Sequence, residues 1–378
     1  MGILSGLRIL EIAGIGPAPF CGMLLADLGA EVILLERAMP RPGDPLEMGV
    51  KNILNRGKRS LALDLKKEGA VEAVLEIVSG ADALLEGMRP GAMERLGLGP
   101  QPCLSRNPRL VYGRMTGWGQ DGPLSPFAGH DLNYISLSGA LWYAGAPGTP
   151  PLAPPTLVGD LGGGALYLCV GVLAALLHAR ATGCGQVVDA AIVDGSAHLM
   201  NLLLAFHAAG RMPFERGQGL VDGPHWYGTY RCADGRHLSL APVEGQFYRL
   251  LLQKLDLHED PDFLEPYEPR SWDRARVKLE ALFASRPLEH WAALLEGSDA
   301  CFAPVLDPRE AMDHPHLRAR GVYAEPGGIL QAAPAPRFSG FKHQPGPVPP
   351  RGAHGREILR EAGLGEAKIA ALLEKGGD

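Results

Sequence analysis

The stretch "LRILEIAGIGPAPFCGMLLADLGAEVILLER" (Leu7–Arg37) decides the fold class. Its opening "LRILEIAG" is an apolar run closed by glycine, which reads as a strand. "PFCGMLLADLGA" follows with helical character, and "EVILLER" is a second strand-like run. Strand, helix and strand in this order make a βαβ unit, whose two strands lie parallel. The alternation continues through "KRSLALDLK", "EGAVEAVLEIVSG", "DALLEG", "GAMERLGL" and "LVYGRMTG". This predicts an α/β fold with a mostly parallel sheet, helices on both faces, and ligands at the carboxyl ends of the strands.

The opening unit also invites a nicotinamide reading, because Gly14 and Gly16 follow a strand and Glu36 comes about 20 residues later. Pro19 stands where the third glycine of that fingerprint belongs, with Pro17 before it. Proline has no backbone N–H to offer a pyrophosphate, so the dinucleotide reading is set aside.

The chain has 378 residues, 46% of them apolar, enough to bury a full core and to form two domains. A net charge of −6 argues against nucleic acid as the main partner. The six cysteines are scattered with no CxxC pair, so neither zinc nor disulfides are expected. The N-terminus has an arginine inside its apolar stretch and makes a poor signal peptide. The uncharged run Leu161–Leu177 falls short of the roughly 20 residues of a membrane span and reads as a buried helix. The C-terminal "KGGD" is no peroxisomal address, which leaves the cytoplasm as the expected compartment.

A change of pattern from about Gly219 marks a second, smaller α+β unit. "HWYGTYRCADGRHLSLAPVEG" holds two β-like runs around an Ala-Asp-Gly turn, and helical stretches follow. The expected division is a large domain over 1–190, a helical linker over 191–218, a small domain over 219–312, a linker over 313–335, and a segment over 336–378 that returns to the large domain.

Two stretches carry chemistry. In "AGHDLNYISLSG" (Ala128–Gly139) His130 and Asp131 precede an apolar segment. In "LVGDLGGGAL" (Leu157–Leu166) Asp160 stands before Gly162, Gly163 and Gly164 at the head of an apolar helix. Glycines at a helix start leave backbone N–H groups open, and such a start can stabilise an oxyanion. The bland alternative makes Asp160 an N-cap and the glycines packing residues. Two bases of different type suit a reaction that removes a proton from one face of a carbon acid and returns one to the other. Glu244 is placed to orient a histidine, or else is a solvated loop acid. Basic residues cluster at Arg37 and Arg41, in "NRGKRSLALDLK" (Asn55–Lys66), and in "GMRPGAMERLGLG" (Gly87–Gly99), which suits a phosphate-rich ligand.

At these residues the chain resembles the family III CoA transferases and, within them, the α-methylacyl-CoA racemases. The likeness runs through "GPAPFCGMLLADLGAEV", "NRGKRSLALDLK", "RPGAMERLGLGP", "RMTGWGQDGP", "AGHDLNYISLSG", "LVGDLGGGAL", "GCGQVVDAAIVDG" and "EGQFYRLL". The resemblance implies a Rossmann-like large domain and a small domain, in two interlocked chains that share an active site. It implies that His130 and Asp160 are the two proton-transfer bases, that Glu244 supports the histidine from the other chain, and that Asp131 is the acid of the "GHD" motif. Arg37, Leu63, Asp64, Leu65, Lys66 and Arg89 fall in segments that hold CoA in the family, with Gly129, Asn133 and Tyr134 beside the thioester. The implied reaction is epimerisation at C2 of 2-methylacyl-CoA thioesters through an enolate, without metal or redox cofactor, CoA being part of the substrate. The alternatives are CoA transfer between carboxylic acids through an Asp160 acyl-enzyme, and a catalytically silent CoA-binding protein. Three positions depart from the family pattern: Thr156 for asparagine, Gly245 for proline, and a shortened "DGPHWYGTY" that adds His225.

Overall fold

The computed structural model describes residues 2–40, 43, 47–342 and 344–374. Arg41 of the first basic cluster and the C-terminal "KGGD" lie outside the described residues. The chain divides into two compact units, one of Met1–Ala140, Pro154–Leu199 and Gly321–Asp378, the other of Leu141–Ala153 and Met200–Arg320.

The first unit opens with β1 (Arg8–Ile12), α1 (Pro17–Asp27), β2 (Glu31–Arg37), β3 (Arg59–Leu63), α2 (Ala70–Ser79), β4 (Ala83–Glu86), α3 (Ala92–Arg95), α4 (Pro100–Arg106), β5 (Val111–Thr116) and α5 (Asp131–Ser138). A π-helix over Leu157–Ala165 then runs into α6 (Leu166–Thr182), followed by β6 (Gln186–Ala191) and α7 (Ile192–Leu199). All six strands are parallel, in the order β3-β2-β1-β4-β5-β6. The fold class is α/β, as the βαβ alternation requires. β1, β2 and β4 are apolar because a central parallel strand is buried on both faces. The edge strand β6, "QVVDAA", is exposed over most of its length, and so lacks the strongly apolar character of β1, β2 and β4.

The second unit holds α8 (Asn201–Ala208), β7 (Gly228–Arg231), β8 (His237–Leu240), α9 (Gly245–Lys254), α10 (Pro269–Phe283), α11 (Leu288–Leu295), β9 (Phe302–Val305), α12 (Pro308–Asp313) and α13 (Pro315–Ala319). The Ala-Asp-Gly turn joins antiparallel β7 and β8, and β9 adds a third, antiparallel strand. β9 contains Pro304, which an edge strand tolerates and which hides it from a reading by strand propensity. The aromatic core of this unit includes Trp226, Tyr230, Tyr248, Phe263, Phe283 and Trp291.

The chain returns to the first unit with a short hairpin, β10 (Tyr323–Ala324) and β11 (Gln331–Ala332), then α14 (Gly355–Glu361) and α15 (Glu366–Leu373). Ile358, Leu359, Ile369 and Leu372 of this last pair complete one of the two apolar layers on the sheet. The other layer contains Leu168, Cys169, Val172 and Leu176 of α6. The apolar helical run extends over Leu157–Thr182 and is long and apolar enough for a membrane span by length and composition. It is buried on one face only: Val170 and Leu177 are 67% and 70% exposed, so the expectation of a buried helix holds for half its circumference.

Candidate active site

The segments that follow β1, β4, β5 and β6 surround a cavity of about 540 Å³. It lies where the strand order reverses between β1 and β4, the place at which open α/β sheets take their ligands. Gly16, Arg89, Trp118, His130, Tyr134 and Asp160 are among the residues lining it.

His130 caps α5 in an extended conformation, and its ring is exposed at the cavity wall. The His130 backbone N–H donates to Asn133 Oδ1 at 3.0 Å. Asn133 therefore serves the helix cap, with its side chain exposed. One residue on, Asp131 is buried, and its Oδ1 accepts the backbone N–H of Asp160 at 2.7 Å. This bond ties the two motifs together. Gly159 is required there, because a Cβ at that position would overlap the Asp131 carboxylate. Asp160 is half-buried, and a Cβ at Gly16 would lie 3.6 Å from its Oδ2. Burial, and then the negative charge of Asp131, push the Asp160 carboxyl up to about 6, with His130 opposing. Its proton affinity thus falls in the range useful to a general base near neutral pH.

Tyr134 holds the same segment from below. Its hydroxyl donates to the Gly129 carbonyl, and its ring meets Trp118 edge-on at 4.6 Å. Burial, then the nearby Asp160 carboxylate, raise the Tyr134 phenol, so it stays protonated. Gly117 leaves the room that this ring occupies.

The three glycines after Asp160 are not an open helix start. The π-helix begins at Leu157, and the i→i+5 bond from Leu161 N–H to Thr156 O places Asp160 inside its first turn. Gly162, Gly163 and Gly164 are interior to the helix, where their amides serve its own ladder. A Cβ at Gly163 would come within 2.6 Å of Ser196 N, and one at Gly164 within 3.0 Å of Ile192 Cγ1. Their smallness lets α7 approach; the expected oxyanion role is corrected to close packing. Thr156 starts this turn at φ 59°, a left-handed conformation that a β-branched residue seldom adopts.

On the CoA side, Arg37 and Leu63 end β2 and β3 as register partners, at the same carboxyl edge as the cavity. Asp64 Oδ1 accepts the Lys66 N–H at 3.0 Å in the turn that follows, leaving Lys66 exposed. The Leu63 side chain is core and Leu65 packs against that core. Arg89 is exposed in the loop after β4 and makes no ion pair among the described residues. The "NRGKRS" cations, by contrast, are consumed within the fold: Arg56 pairs with Asp27, Lys58 with Glu11, and Arg59 with Glu31 and Glu361. That cluster is structural.

Glu244 belongs to the second unit, where it is the exposed N-cap of α9 just before Gly245. His225 is fully buried in the same unit, its Nε2 2.7 Å from the Tyr248 hydroxyl. Burial, aided by Arg276, lowers its imidazole to about 4, so it is a neutral core residue. Trp118 was not singled out from the sequence, and Gly16 only in the dinucleotide reading that was set aside; the signal that marks them is position, since each follows a parallel strand by two to four residues.

A model of CoA-transferase family III matches residues 4–355. The chain belongs to CoA-transferase family III. The α-methylacyl-CoA racemase of Mus musculus is 40% identical over 98% of this chain and 96% of its own. Its Homo sapiens counterpart is 37% identical over the same shares. The acetyl-CoA:oxalate CoA-transferase of Acetobacter aceti, a more distant relative, is 30% identical over 97% of each chain. Among solved structures, a CAIB/BAIF family protein from Brucella suis superposes with a TM-score of 0.78 at 27% identity, covering 95% of this chain and 99% of that one.

Proposed function

We propose that this family III protein epimerises C2 of 2-methylacyl-CoA thioesters by proton removal on one face and proton return on the other. The observation that carries this reading is the cavity shared by His130 and Asp160, where burial, and then the adjacent Asp131, raise the proton affinity of Asp160 toward neutrality. The thioester acidifies the C2 proton. Asp160, as carboxylate, takes it from one epimer, and His130, as imidazolium, delivers a proton to the opposite face; the other epimer uses the two in reverse roles. The developing enolate oxygen needs donors, and the first-turn amides of α5, at Asp131 and Leu132, are free of intrahelical partners and adjoin His130. Arg37, Lys66 and Arg89 would meet the phosphate-bearing part of CoA at the carboxyl edge. The reaction calls on neither metal nor redox cofactor, and the protein acts as an isomerase.

The working form is a homodimer in which Glu244 of one copy orients His130 of the other. Exposed Val170 and Leu177 on α6, and exposed Leu202 and Leu204 on α8, support a second copy as the cover of these faces. A second reading is favoured by the acetyl-CoA:oxalate CoA-transferase relative: Asp160 attacks the thioester carbonyl, which expels the CoA thiolate and forms a mixed anhydride. The thiolate then attacks the Asp160 carbonyl, releasing the first carboxylate, and the resulting aspartyl-CoA thioester passes CoA to a second carboxylate by the reverse of these steps. One experiment separates them. One epimer of a 2-methylacyl-CoA is incubated with the protein in deuterated water, with and without oxalate. Deuterium at C2 with loss of stereochemical purity supports epimerisation; CoA transfer to oxalate with C2 unchanged replaces it with the transferase reading.

A further inference from the structure

Glu86, the last residue of β4, is fully buried where the chain turns into the cavity-lining loop Gly87–Pro90. Its Oε2 accepts the Met88 N–H at 2.6 Å, and its Oε1 accepts Arg114 Nε at 2.9 Å. Arg114 is the register partner of Glu86 on β5 and is itself buried. Its Nη1 and Nη2 reach Oε1 and Oε2 of Glu94, on α3, at 2.8 and 3.4 Å. One guanidinium therefore grips the strand end before the loop and the helix after it. Buried charges at a strand end cost more than an apolar pair of similar volume, so stability alone does not account for them. What they fix is the loop between the two grips, which carries Arg89 into the cavity wall.

We propose that Glu86, Arg114 and Glu94 are positioning residues that hold the Arg89 loop in the conformation that meets the phosphate-bearing part of CoA. The inference rests on the CoA-thioester substrate proposed above, and not on which reaction follows binding. Glu94→Gln is the informative variant, because that side chain is 44% exposed and its loss leaves the core intact. Arg114→Lys, which keeps the charge and loses the fork, is the second. The Kd for CoA is measured by calorimetry, and KM and kcat with a 2-methylacyl-CoA and with the matching pantetheine thioester, which lacks the nucleotide phosphates.

Both variants should weaken CoA and raise the KM of the CoA thioester on the order of tenfold, with kcat unchanged. The pantetheine thioester should be turned over as by the wild type, and Glu94→Gln should add nothing in an Arg89→Gln background. A loss of general folding would instead affect both thioesters alike. That result, or an unchanged CoA Kd in Glu94→Gln, overturns the proposal. Variant-sensitive CoA binding by a wild type that does not epimerise would support this inference while removing the reaction above. A wild type that fails to bind CoA overturns both.

Discussion

Helix α1 lies against two acids that have met opposite fates. Behind it, Glu11 fills space left by Gly22, with Lys58 Nζ at 2.8 Å from Oε1 and 2.6 Å from Oε2, both side chains fully buried. At its N-terminus, Asp160 lies by Gly16, and the neighbouring charge that acts on it most is another carboxylate, that of Asp131, with His130 opposing. Burial raises both acids. Glu11 has a counter-ion and a second anchor, since Lys58 also donates to the Pro19 carbonyl at 3.1 Å, and the assembly is closed. Asp160 makes no ion pair among the described residues, and burial leaves it with a raised proton affinity. The difference separates an acid that holds structure from one kept available for chemistry.

Removing the counter-ion from the first site is the strongest way to break this contrast. Lys58→Met strands a buried carboxylate and should lower stability by about 3–5 kcal/mol in urea denaturation, with much of the loss recovered by adding Glu11→Gln. A loss under about 1 kcal/mol would mean that the pair is not the closed unit described.

The second site should respond in the other direction. The folded state holds the Asp160 proton to about 6, above the ordinary aspartate value, so ionising it costs stability as pH rises through that range. Asp160→Asn is free of this cost. Its stability should exceed that of the wild type by about 1–2 kcal/mol at pH 7.5, after allowance for partial solvent screening, and match it at pH 4. Equal stability at both pH values would show that Asp160 is not held against its charge.

The smallest effect isolates Asp131. In Asp131→Asn the amide oxygen still accepts the Asp160 N–H, but the like charge is gone. The acid limb of kcat/KM should shift to lower pH, by less than the full displacement because burial is the larger cause. A limb that stays in place would assign the raised proton affinity to burial alone.

Much of the first unit was legible because central parallel strands are apolar on both faces, and "RILEI", "EVILLER" and "ALLE" advertise that. Half-exposed β6 and proline-bearing β9 carry no such signal. At the site, the chemical types of His130, Asp131 and Asp160 led to two segments that the fold brings to one cavity, whereas local charge misled: the "NRGKRS" cations look like phosphate ligands until Asp27, Glu11 and Glu31, 28 or more residues away, are folded onto them. The glycines misled for a related reason, since a glycine run at a helix start and one beneath a crossing helix read alike in one dimension.

The account rests on two bases, each serving one face of C2. Its most direct test is to give each pure epimer of a 2-methylacyl-CoA separately to Asp160→Asn and to His130→Gln in deuterated water, and to follow C2 deuterium without turnover to the other epimer. Each variant should lose interconversion on the order of a thousandfold and keep exchange with one epimer only, the two variants complementing each other. Exchange of both epimers at the wild-type rate by either variant would contradict the two-base site.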